Sequence, residues 1–109
     1  MNDKRRAEEI KQRTATGIPA MAILVMDATL VGIEKGRSRT HLILNIQPSA
    51  GDVYRTVTDW IVDQTAVAQL KRGQTVAVRI DANDPNIVYP DVTWATFSPE
   101  RLYRTHRQY

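Results

Sequence analysis

Residues 39–47 constrain this chain more than any other stretch. Thr40, Leu42, Leu44 and Ile46 share one parity, while Arg39, His41, Asn45 and Gln47 share the other, with Ile43 the apolar exception. Side chains of a strand alternate between its faces, so the pattern predicts a strand with one buried and one wet side. The same period recurs over residues 75–81, where Val76, Val78 and Ile80 alternate with Ala77 and Arg79. Residues 20–31 read as a long strand, apolar on both parities, with Gly32 marking a bulge or a bend. Residues 52–61 set Tyr54, Thr56, Thr58 and Trp60 against Val53, Arg55, Val57 and Asp59, which leaves the inward side open. Two short strands follow, at 87–89 and 93–97.

Helical signals are brief. Residues 3–14 predict a helix capped by Asn2 or Asp3, with little apolar content beyond Ala7 and Ile10. So short a helix is marginal alone and is ordered only if it docks. Gly17 and Pro19 stop it. Residues 65–73 predict one or two helical turns, with Asp63 as cap, Val67 and Leu70 as an apolar pair and Gly73 as terminator. Turns are expected at 34–37, 48–51 and 81–86.

Together these elements predict a mainly β fold. The expectation is a small antiparallel barrel of five or six strands, OB-like or SH3-like, with an N-terminal helix and one short helix before the fourth strand. The alternative is a two-layer α+β roll with the first helix across an open sheet. The 109 residues make one domain: a charged helix and linker over 1–16, a β body over 17–98 and a basic tail over 99–109.

Charge and composition bound the function. The chain carries 15 basic against 12 acidic side chains, and the excess sits at its ends. Residues 1–13 hold five basic and three acidic groups, residues 99–109 three and one, and residues 14–98 seven and eight. A near-neutral body disfavours nucleic acid as partner, because phosphate contacts call for a basic surface on the ordered domain. Cys is absent, which removes disulfides, thiol nucleophiles and thiolate metal sites. The longest apolar run, residues 18–26, is far short of the roughly 20 residues a membrane helix needs. With no secretory signal pattern, the chain is expected in the cytoplasm. The alternative is a piece of a larger membrane protein.

Candidate sites are few. His41 on a polar strand face and His106 in the tail make a poor metal pair. Asp81, Asn83 and Pro85 fall at alternate positions as in a calcium loop, but Pro85 lacks a side-chain oxygen and the central Gly and terminal Glu are missing. Asp81, Asn83, Asp84 and Pro85 therefore read as a structural turn held by side-chain to backbone bonds. Ser38, Ser49 and Ser98 lie in turns without a nucleophile-elbow context, and no glycine-rich phosphate loop occurs. Neither metal nor cofactor is expected.

Three pieces resemble a known family. They are Gly17, Pro19, Ala20, Ala22 and Ile23 opening the first strand, Tyr54 in the middle strand, and Leu70-x-x-Gly73-x-x-Val76-x-Val78-x-Ile80-Asp81-x-x-Asp84-Pro85. Together they resemble a bacterial family of small β-barrel domains of unknown function, often found near transmembrane helices. The resemblance covers about residues 17–90 and implies no catalytic residues. Where its members carry membrane segments, this chain has a polar helix.

The resulting expectation is a non-enzymatic interaction or scaffolding module. Ile43, Val53 and Val57 exceed what one barrel face needs and mark an oligomer face, with a homodimer or a larger protein as partner. One alternative is single-stranded nucleic-acid binding through Arg39, Arg55 and Arg79, with Tyr54 and Trp60 as stacking platforms. The other is small-molecule or lipid binding, which an enclosed apolar pocket would favour.

Overall fold

The computed structural model describes residues 3–98, with side chains from Ala7 onward except Glu34. The elements in order are α1 (Asp3–Ala15), β1 (Ile18–Leu24), β2 (Thr29–Glu34), β3 (Arg37–Gln47), β4 (Tyr54–Asp63), a 3-10 helix (Gln64–Gln69), β5 (Thr75–Ile80), β6 (Val88–Pro90) and β7 (Ala95–Phe97). Basic tail residues Arg101, Arg104 and Arg107, with His106, lie outside the described residues, as does the proposed cap Asn2.

Six strands run antiparallel in the order β6-β5-β1-β3-β4-β7, and β2 adds to the edge of β3. The result is a nearly closed barrel of the kind the sequence predicts, with the N-terminal helix and a short 3-10 helix. The barrel interior takes the parity expected of β3 and β5: Leu42, Leu44, Ile46, Val76 and Val78 are buried. On β4 the open question resolves toward Thr56, Thr58, Trp60 and Val62 inward. Trp60 spans the interior, its indole N–H donating to the Val88 carbonyl at 3.3 Å. The last gap, between β6 and β7, is bridged by side chains: the Tyr89 and Phe97 rings meet edge-on at 5.0 Å.

Two expectations are corrected. The single strand over 20–31 is two, broken by a bend at residues 25–28. Asp27 accepts the Arg72 N–H at 2.8 Å and Ala28 donates to the Leu70 carbonyl at 2.9 Å, so the bend is fastened to the end of the 3-10 helix. The bulge falls at Val31, between Leu30 and Gly32. Asp63 does not cap the 3-10 helix through its side chain. Its carboxylate takes Arg37 Nε at 3.0 Å instead. Among the described residues no helix is long and apolar enough to cross a membrane.

Candidate functional site

Where β5 ends, Asp81 turns the chain and sinks its carboxylate beneath α1. Its Oδ1 accepts Arg13 Nε at 3.1 Å and the Tyr89 hydroxyl at 2.6 Å, and its Oδ2 accepts the Asn83 N–H at 3.0 Å. Burial pushes this carboxyl's pKa up. The bonds from Arg13, Tyr89 and Asn83 together outweigh it and hold the pKa below the ordinary aspartate value. Burial and the bond to Asp81 raise the Tyr89 phenol. The rest of the turn is held by one local bond, Asp84 Oδ1 accepting the Asn86 N–H at 3.0 Å, and by one from β4, the Pro85 carbonyl accepting the Tyr54 hydroxyl at 2.7 Å. Its spacing revealed the turn, but nothing in the sequence pointed to Arg13, which makes Asp81 the pin between helix and barrel.

Between α1 and the barrel lies a groove of about 770 Å³. Ala7, Ile10, Lys11, Thr14 and Ala15 line it from the helix, at the i, i+3, i+4, i+7, i+8 spacing of one helical face. Ile61 of β4, Pro90 of β6 and Ala95–Phe97 of β7 form the floor across the seam. Lys11, Lys35, Arg37 and Arg79 bring four cations to the lining, which holds no acidic side chain among the described residues. Arg37 is paired with Asp63, and Arg79 with Asp91 at 3.4 Å, its guanidinium also donating to the Gly17 carbonyl. The helical spacing was visible in the sequence. That those residues face a space rather than a packed core was not.

A second surface lies on the opposite side of β3's hairpin. Strand β2 pairs only with β3 among the described residues. Leu30, Val31 and Ile33 are 54%, 46% and 66% exposed. The bulge at Val31 keeps Leu30 and Ile33 on the same side, opposite Thr40 and Ser38 respectively. Those β3 partners are buried in the barrel wall, whereas Leu30 and Ile33 are exposed. Apolar residues on both sides of Gly32 were the sequence signal for this edge.

The residues singled out from sequence fall in different places. Trp60 is 0% exposed, so the expectation of a stacking platform there is corrected: the indole fills the core. Tyr54 is half-buried with its hydroxyl committed to Pro85. Arg55 bonds Asn45, and Arg39 lies against Gly32, six residues along the β3–β4 ladder from Asn45, or about 20 Å. Arg79 is apart from both, in the groove. Ile43 and Val57 face each other across the ladder on the outer side and are half-buried, while Val53 is 59% exposed just before β4. His41 Nδ1 lies 2.7 Å from Asp59 Oδ1, its cross-strand partner. Among the described residues, no three or more His, Cys, Asp or Glu side chains gather as a metal site would require.

No family model, no curated protein and no solved structure matches this chain.

Proposed function

We propose that the chain is a non-enzymatic interaction module that pairs through the outer edge of β2, in the first instance with a second copy of itself. One observation carries this reading: a six-residue strand with one hydrogen-bonding edge unpaired among the described residues and its large apolar side chains in water. Such an edge is a template for strand addition, which supplies main-chain bonds along the edge and pockets for alternate side chains. Natural edges of this kind are blunted by lysine, proline or cover. Strand β2 has neither residue, and the Val31 bulge is its one irregularity. An antiparallel pairing about a two-fold axis sets Leu30 opposite Ile33 in both halves, a self-complementary contact. Ile43 and Val57 lie on the outer face of the sheet, the opposite face from Leu30 and Ile33, and are not part of this contact.

Sizing the full chain at micromolar concentration tests the reading. The expected result is a dimer that Ile33→Asp converts to a monomer of unchanged fold. A monomeric parent whose β2 amides exchange freely, and which captures the same proteins from native extract as Ile33→Asp does, would overturn it.

A further inference from the structure

The groove beneath α1 is a different kind of site from the β2 edge. We propose that it binds one fatty acid, with the hydrocarbon chain held between α1 and the β6–β7 seam and the carboxylate at Lys11 and Lys35. Three observations lead there.

The first is the space itself. Protein interiors leave few voids larger than a water molecule, and a packed helix closes the gap beneath it. Here the helix presents the small side chains of Ala7, Thr14 and Ala15, and among its described side chains Ile10 is the one apolar group packed on the core cluster. What remains, about 770 Å³, is the size of a ligand site rather than a packing defect.

The second is the lining. Ile61, Ala95, Phe97 and Pro90 offer hydrocarbon, and the β4 and β7 backbone beneath them is already paired from Trp60↔Phe97 to Val62↔Ala95. A peptide or a nucleotide would bury its own polar groups there without partners, whereas an alkyl chain has none to satisfy.

The third is charge. Asp63 and Asp91 answer Arg37 and Arg79, while Lys11 and Lys35 have no ion-pair partner among the described contacts. A cationic rim over an apolar floor complements an anionic head on an apolar tail. It does not complement this chain's own residues 99–109, with Arg101, Arg104 and Arg107 against Glu100, nor the identical cationic groove of a second copy.

The test uses the full-length protein, stripped of lipid, titrated calorimetrically with dodecanoate and with dodecanol below their aggregation limits. The expected result is saturable binding of one dodecanoate per chain. Lys11→Glu combined with Lys35→Glu should weaken dodecanoate at least about tenfold and leave dodecanol within about twofold. Ala7→Trp fills the groove from an exposed helix position, so it should abolish binding of both probes without moving the thermal midpoint. No saturable dodecanoate binding, or binding indifferent to Ala7→Trp, overturns the proposal. So does charge reversal that leaves dodecanoate affinity unchanged. A benzophenone amino acid at position 7 covers the remaining occupants. Cross-links to residues 99–109 or to a second copy that persist at saturating dodecanoate would assign the groove to protein and overturn the fatty acid.

Discussion

The barrel has two imperfect edges, and it treats them in opposite ways. At the seam, β6 and β7 are bridged by the Tyr89–Phe97 contact, and α1 lies across the outside, pinned by Arg13 to Asp81. At the other edge, nothing among the described residues covers β2, and Leu30 and Ile33 are exposed. The barrel core is complete without the outer edge of β2, because Ala22, Leu24, Leu42 and Leu44 are fully packed behind it. The seam has no such reserve: its cover is part of the fold. Substitutions at the seam should therefore change stability, and substitutions on β2 should change association while leaving stability almost alone.

Asp81→Ala should show the largest effect. It removes the acceptor for Arg13, Tyr89 and the Asn83 N–H at once, and leaves the Tyr89 hydroxyl buried. The expected loss is about 3 kcal/mol in urea unfolding, more than a simple cap, tempered because Arg13 stays partly in water. The pH dependence follows from the same bonds. The folded carboxyl is held below its unfolded value, so its contribution is full above about pH 4 and fades as pH falls through the folded value. Tyr89 acts at the other extreme. Its raised pKa stabilises the fold below about pH 10, and that support is lost as pH rises beyond the unfolded tyrosine value toward the folded one. Asp81→Ala should flatten the acid side of the stability profile. An unchanged acid limb would break the claim that this pin holds the seam.

Gly17→Ala is the next test of the seam. Gly17 joins α1 to β1, and a Cβ there would sit 2.9 Å from Arg79 Cβ, 3.1 Å from the Thr14 carbonyl and 3.2 Å from the Ile80 carbonyl. None of these is the loose end of a side chain, so the backbone must move, at a cost of about 1–3 kcal/mol. Hydrogen exchange should show α1 amides losing protection before those of β3 and β4. Equal loss across all three would mean that helix and barrel unfold as one unit.

The difference between the edges also marks what the sequence discloses. Alternation in residues 39–47, broken only by Ile43, and in residues 75–81 identified the barrel wall, because parity decides which side chains face in. On β4 it could not, since polar Thr56 and Thr58 take the inward side. Thr56 does so by donating to the Asn86 carbonyl at 2.9 Å, a contact from 30 residues away. The break between β1 and β2 depends likewise on Asp27 and Ala28 meeting the chain around Leu70 and Arg72. For the groove, the spacing of Ala7, Ile10 and Lys11 was legible, but helical period says nothing of the distance at which a helix settles. Lys35 and Arg37 reach the groove from the β2–β3 hairpin, a placement that only barrel curvature produces.

That hairpin supplies the smallest expected effect. Its tip, Lys35-Gly36, closes on the Glu34↔Arg37 pair, with φ values of 51° and 79°. Two positive φ values in a two-residue loop make a type I′ turn, which favours Asn-Gly because a side chain with a Cβ resists the left-handed region unless it is short and polar. Lys35→Asn should therefore raise stability by about 0.5–1 kcal/mol, read as a higher urea midpoint at unchanged slope. It should leave the association state as it was, since Leu30 and Ile33 keep their places. A gain in stability accompanied by a lost dimer would show that pairing depends on a yielding hairpin tip rather than on the apolar edge. A loss of stability would show that the lysine's contacts at the groove outweigh its strained backbone, and the two edges would then be coupled through this one turn.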